Sequence, residues 1–280
     1  MRILLVAYDN DSYIHAFPQG LAYIVSALLK NNYEVTIFNQ DLNHYPDEQL
    51  TQYLNSNIFN TVGLSFIGGY YQYRKALKIS DAINKSKHRP FFILGGHGPS
   101  PEPEYFLNKT EADAVVIGES EETIIELLNA LSNRKSLSSI KGIAYKDGNK
   151  VVINERRDLI KDIDSIPWPA YELFPIQYYR LIKEPHSLNK DFVMPVLSGR
   201  GCKFKCNFCY RMDQGFRARR NEAIIEEIKY LINRYSISYI NFSDELLMSS
   251  EQRVIGLCED IIKVKLNIKW NCNGRLNYAK

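Results

Sequence analysis

Short β-rich runs alternate with amphipathic helical runs across the first 131 residues, and this pattern constrains the fold more than any other feature. Residues 2–7 (RILLVA), 34–38, 61–66, 91–94 and 114–117 read as strands, each a run of four to six largely apolar or β-branched residues. Between and after them, 18–31, 47–54, 70–86 and 121–131 carry helical periodicity. Strands separated by helices must pair in parallel through right-handed crossovers. The expected fold class is therefore α/β, a doubly wound parallel sheet, and five strands suit the flavodoxin-like order 2-1-3-4-5. Ligands in such sheets bind outside the carboxyl ends of the strands. Those ends read Tyr8 to Gly20, Ser65-Phe66-Ile67-Gly68-Gly69, Gly95-Gly96-His97-Gly98-Pro99 and Gly118-Glu119-Ser120. Recurrent glycine there marks either tight turns or close approach to a ligand.

Residues 141–155 read as a β-hairpin about an Asp147-Gly148 turn. Three prolines within 163–175 then interrupt any regular period and suggest an ordered linker. A second unit begins near Asp191. Strands at 193–197, 238–242 and 269–273 alternate with helices at 223–235 and 252–264. This is the opening of a (β/α) barrel, too short to close, so the chain is expected to be the front part of a longer protein or one cut short. The expected division is 1–140, an α/β domain; 141–190, hairpin and linker; and 191–280, the barrel opening.

The chain has 280 residues, of which 45% are apolar and 24% charged, and a formal charge of +3, too small and too evenly spread to argue for nucleic acid. Its densest basic run, 211–220 (RMDQGFRARR), fits either a solvated loop or an active-site rim facing phosphate, carboxylate or RNA. No run approaches the roughly 20 apolar residues that span a bilayer, and the first residues lack a signal-peptide pattern. Five cysteines, three of them within eight residues, suit metal binding in a reducing cytoplasm better than a disulfide framework. Cys258 and Cys272 lie in apolar periodic segments and read as structural thiols.

The clustered three form Cys202-x3-Cys206-x2-Cys209, directly after the first barrel strand. Three thiolates in one loop can hold three irons of a 4Fe–4S cubane and leave the fourth open to a substrate. A zinc ribbon would need a second Cys-x2-Cys pair, and a ferredoxin a fourth ligand. Asp244 and Glu245 follow the second barrel strand; Asn273 and Arg275 follow the third.

With an aromatic residue, Phe208, before the last cysteine, the motif resembles the radical SAM superfamily. The resemblance implies that S-adenosylmethionine (SAM) binds the open iron and is reductively cleaved to a 5′-deoxyadenosyl radical. It implies Phe208 near the adenine, Arg200 and Gly201 shaping the loop, Asp244 and Glu245 near the methionine amine, and Arg275 or Asn273 near the carboxylate or ribose. Segments 17–41, 93–106 and 115–123 likewise resemble the cobalamin-binding domain that precedes such barrels. Ser65, Gly68, Gly95, Gly96, His97, Gly118 and Glu119 would then cradle the corrin and its nucleotide tail. The Asp-x-His-x-x-Gly motif that supplies an axial histidine in many cobalamin proteins is absent; His15, with Asp11 and Gly20 at unequal spacing, is a poor substitute. His97, within a Gly-Gly-His-Gly turn, reads as loop-shaping.

The joint resemblance implies a cobalamin-dependent radical SAM enzyme. Its most common activity would be methyl transfer from SAM, by way of cobalamin, to an unactivated centre of a small molecule or peptide. An electron donor such as flavodoxin or ferredoxin would serve it. Radical cyclisation or rearrangement without methyl transfer is the alternative. A non-catalytic cobalamin or Fe–S sensor is the alternative of another class. A methylthiotransferase would need further cysteines before residue 190, and there are none. Substrate identity and oligomeric state are not legible.

Overall fold

The computed structural model describes residues 1–11, 16–182, 184–185, 187–210 and 215–275. The chain divides into two units.

The first unit is built on β1 (Arg2–Ala7), α1 (Gln19–Lys30), β2 (Glu34–Asn39), α2 (Gln40–Asn43), α3 (Asp47–Ser56), β3 (Thr61–Ser65), α4 (Tyr70–Asn84), β4 (Phe91–Gly95), α5 (Pro103–Thr110), β5 (Ala114–Val116), α6 (Glu121–Ser132), β6 (Ile143–Asp147) and β7 (Lys150–Ile153). Its sheet runs β2-β1-β3-β4-β5-β6-β7, with the first five strands parallel and the last two antiparallel. The doubly wound order expected from the sequence is thus present. Helices cover both faces, so the central strands are continuous apolar runs rather than alternating ones. Leu4, Val62, Phe92 and Leu94 are fully buried, and each contributes about 1.5–3 kcal/mol on leaving water.

The hairpin expected from the sequence is present at 143–153, and it extends this sheet, although the expected division grouped it with the linker at 141–190. Its β6 strand covers β5, which has only three residues and would otherwise be an exposed edge. Helix α5 was not legible in the sequence. It has only eight residues and starts on Pro103, whose fixed φ suits a first helical position.

Within the second unit, α7 (Ile176–Tyr179) precedes β8 (Val193–Val196), β9 (Gly199–Cys202), β10 (Gly215–Ala218), α8 (Asn221–Tyr235), β11 (Tyr239–Phe242), α9 (Glu251–Lys263) and β12 (Lys269–Cys272). Strands β12-β11-β8 form a parallel sheet, and β9 pairs antiparallel with β10. The proline-rich stretch is ordered but shared out. Residues 160–168 belong to the second unit, where Trp168 packs on Tyr230, and 169–174 to the first, where the Ala170 amide donates to the Ala22 carbonyl. No helix among the described residues is long and apolar enough to cross a membrane.

Candidate functional site

In the first unit the glycine-bearing loops all leave the same edge of the sheet. Ser65 ends β3 opposite Gly95, which ends β4. The two loops beyond them are stitched together: the Phe66 amide donates to the Gly95 carbonyl (3.2 Å), and the Gly98 amide to the Phe66 carbonyl (3.0 Å). Gly96 has φ +92°, and a Cβ there would stand 2.5 Å from the Phe66 carbonyl oxygen, so only glycine fits. Gly68, Gly95 and Gly118 are different. A Cβ on any of them would meet no atom within 4 Å. Packing does not demand glycine there, although the positive φ of Gly68 (+150°) and Gly118 (+80°) does; Gly95 is free of both demands.

His97 is exposed in its turn, and Glu119 half-buried beside Gly118. Sequence reasoning passed over Ser100. Its buried hydroxyl donates to the Gly96 carbonyl (2.7 Å) and accepts from the Gly118 amide (3.3 Å), which ties the β4 and β5 loops together. The β1 loop is pinned too. The Asp41 carboxylate accepts from the Asn10 amide (2.8 Å), Tyr71 donates to the Asp9 carbonyl (3.0 Å), and His44 Nδ1 lies 3.0 Å from the Asp9 carboxylate. Burial pushes the Asp41 carboxyl up; burial and then Asp41 push the Tyr8 hydroxyl up to about 12. His15 lies outside the described residues.

In the second unit the strand ends converge on the cysteine loop. Cys202 closes β9, Cys206 comes next in the turn with its carbonyl accepting from the Cys209 amide (3.2 Å), and Cys209 is exposed. Phe208 is 89% exposed. Among the described residues no three His, Cys, Asp or Glu side chains gather closely enough for one metal ion. A structural zinc site takes four ligands, whereas three thiolates in one loop are enough to hold a cubane with one iron open, so the donor set of Cys202, Cys206 and Cys209 is compatible with a cluster.

From the β12 end, the Arg275 guanidinium stacks on the Phe204 ring at 4.0 Å, inside the cysteine loop. Asn273 donates to the Asp244 carbonyl at 3.5 Å. Lys203 donates to the Ser249 carbonyl at 2.6 Å and fastens the loop from its other side. Asp244 and Glu245, expected as equivalent candidates, part company. Asp244 is buried with both carboxylate oxygens held by Ser198, while Glu245 is exposed and open to a ligand. Burial pushes the Asp244 carboxyl up to about 6, against the opposing pull of the Ser198 hydrogen bonds, Arg253 and Arg219.

Over its described part the basic run is strand β10 and the residues after it, with Arg219 buried and the Arg220 side chain still 76% exposed. Arg217 donates to the Ile160 carbonyl, Arg219 to Glu227 and the Leu197 carbonyl, and Arg220 to Asp164. Arg211 lies within the cysteine-proximal residues 211–214 that fall outside the described set.

Comparison with known proteins agrees with this geometry. Residues 10–128 match the B12 binding domain family. The chain is 30% identical over 290 residues to an uncharacterised methyltransferase of Pyrococcus horikoshii, covering 99% of this chain and 60% of that protein. It is 27% identical over 269 residues to the anaerobic magnesium-protoporphyrin IX monomethyl ester cyclase of Rubrivivax gelatinosus, covering 92% of this chain and 47% of the cyclase. Among solved structures it superposes on the cobalamin-dependent SAM radical enzyme OxsB, solved with aqua-cobalamin and SAM bound. The TM-score is 0.78 at 20% identity, over 96% of this chain and 38% of OxsB. The resemblance to cobalamin-binding-domain radical SAM proteins is thereby borne out, and the chain spans between about two fifths and three fifths of these relatives.

Proposed function

We propose that this chain, whose fold matches part of a cobalamin-dependent SAM radical enzyme, carries the cofactor-binding part of such an enzyme, with methyl transfer as its activity. One observation carries the reading. A three-cysteine loop begins at the end of β9, shortly after β8, the first strand of a barrel-type parallel sheet, in the same chain as a B12-type domain with glycines at its strand ends beside open space.

In this reading Cys202, Cys206 and Cys209 hold a 4Fe–4S cluster, which when bound supplies the electron that cleaves SAM. Glu245 takes the methionine amine as a charge-assisted hydrogen bond. Arg275, already against the loop, takes the carboxylate, for which a planar guanidinium is suited. Phe208, free of packing partners on most of its surface, stacks on the adenine. Ser65, Gly68, Gly95, Gly96, His97, Gly118 and Glu119 line the cobalamin cradle. The substrate is a small molecule or peptide, the electron donor a flavodoxin or ferredoxin, and the compartment the reducing cytoplasm, in which free thiols persist.

A second reading, radical cyclisation, rests on the likeness to the Rubrivivax gelatinosus cyclase. The test is anaerobic reconstitution with iron, sulfide and hydroxocobalamin, desalting, reduction in the presence of SAM, and assay of products. Retained corrin absorbance with 5′-deoxyadenosine and S-adenosylhomocysteine supports methyl transfer. Deoxyadenosine without S-adenosylhomocysteine favours the cyclase reading. A protein that takes up no iron, or takes it up and cleaves no SAM at full length, refutes both.

A further inference from the structure

Ser198 is the last residue before β9, four positions ahead of the first cysteine, and it is fully buried. Every polar atom it has is engaged by another element. Its amide donates to Asp244 Oδ1 (2.6 Å), and its hydroxyl to Asp244 Oδ2, from the end of β11. Its carbonyl accepts from the Arg219 amide beyond β10 (2.9 Å) and from Arg253 Nη2 on α9 (2.5 Å). The same Arg253 nitrogen also reaches the Ser198 hydroxyl oxygen (3.0 Å). A buried carboxylate and a guanidinium therefore grip one small residue from opposite sides.

The strand beyond Ser198 is equally constrained. Gly201 has φ +78°, and a Cβ there would stand 2.5 Å from the Gly215 carbonyl oxygen, so β9 and β10 lie as close as backbones allow. Phe216, paired with Gly201, carries the Arg253 guanidinium 5.4 Å from its ring centre. The strand that delivers Cys202 is thus fixed at its root by Asp244 and along its partner by Arg253. The hydrogen bonds of both side chains run to the loop root and its partner strand, and neither reaches a cysteine. A salt bridge made only for stability would bond its two charges to each other; here each charge is bonded to the loop root instead.

We infer that Asp244 and Arg253 are positioning residues that act through Ser198 to hold the cysteine loop in its ligand-binding arrangement. The inference rests on the reading of that loop as a cluster and SAM site. If the clamp opens, the competent fraction of loop conformations falls, and the apparent SAM affinity falls in the same proportion. Asn at 244 keeps the acceptor for the Ser198 amide and a polar partner for the hydroxyl, so Asp244→Asn retains the geometry while Asp244→Ala destroys it.

The experiment has two arms on the same full-chain proteins: wild type, Asp244→Ala, Asp244→Asn and Ser198→Ala. Without cofactor, hydrogen–deuterium exchange is followed in a peptide spanning 198–202. After anaerobic reconstitution, iron content and the SAM-induced change in the electron paramagnetic resonance of the reduced cluster are titrated.

In Asp244→Ala the peptide is expected to exchange about tenfold faster, and half-maximal response to require about tenfold more SAM, with iron content unchanged. Asp244→Asn should return both to within about threefold of wild type, and Ser198→Ala, which loses only the hydroxyl, should fall between. Ser198→Ala also decides the matter should Asp244→Ala not fold. Wild-type exchange in the alanine variants overturns the inference, and if SAM response is nevertheless weakened in Asp244→Ala, Asp244 is a direct SAM contact. A wild-type chain that takes up no cluster defeats the functional reading alone, because the exchange arm still decides whether the clamp exists.

Discussion

Glu227 on α8 offers the sharpest test of what holds the second unit together. Its carboxylate is wholly buried and receives Arg219 Nη1 at 2.5 Å. Arg219 is itself buried and also donates to the Leu197 carbonyl (2.8 Å) and, more distantly, to the Ala223 carbonyl (3.4 Å) and Asp164 (3.4 Å). Glu227→Ala removes the strongest partner of a desolvated cation. Breaking a buried pair from one side costs about 3–5 kcal/mol, because the surviving charge is left without compensation. Asp164 and the Leu197 carbonyl remain, so the lower end, about 3 kcal/mol, applies. For a unit of this size, with a urea dependence of about 1.5 kcal/mol per molar, the unfolding midpoint should drop by about 2 M.

The assay is built in. Both tryptophans of the chain, Trp168 and Trp270, belong to the second unit, so fluorescence follows its unfolding alone. Glu227→Gln keeps a neutral acceptor and should cost about half as much. The double variant Glu227→Ala with Arg219→Met removes both charges and should recover most of the loss, since apolar replacements of buried pairs are often neutral. A fall below about 1 kcal/mol in Glu227→Ala, or a double variant no better than the sum of its parts, would refute the argument that an uncompensated charge is the cause.

Replacing any one of Cys202, Cys206 or Cys209 by Ala should abolish cluster retention in an anaerobic iron and sulfide assay. Replacing Cys258 or Cys272, whose thiols burial pushes up and away from ligation, should not. In the first unit, Gly96→Ala forces a strained φ and a backbone clash and should cost about 2–3 kcal/mol in thermal unfolding followed by circular dichroism. Gly95→Ala points into open space, should cost less than about 0.5 kcal/mol, and should still reduce corrin retention after desalting if that space is the cradle. Asp244, raised from 3.8 to about 6 by burial, binds its proton more tightly folded than unfolded. Stability contributed by the protonated form is therefore full below about pH 4, is lost as pH rises to about 6, and is flat above, a swing of order 3 kcal/mol. Urea midpoints of Asp244→Asn should lack that decline between about pH 4 and 6.

The sequence by itself determined the five parallel strands β1 to β5 with their order, and the three-cysteine loop. Strand-length apolar runs at helical separations admit only parallel crossovers, so the order at β1 to β5 came from periodicity. The three cysteines lie within eight residues, a spacing that no fold can undo.

Tertiary structure decided everything that depends on partners distant in the chain. Nothing near Asp244 separates it from Glu245 in sequence, yet a bond to a residue 46 positions away buries one and leaves the other exposed. In sequence Arg217, Arg219 and Arg220 fit either a solvated loop or an active-site rim, because their acceptors, at Ile160, Glu227 and Asp164, lie on other elements. The β9–β10 pair escaped notice because two four-residue strands rich in glycine carry no periodic signal, and only their mutual approach makes them strands. Periodicity records which face of an element is buried; it does not record what the element is buried against.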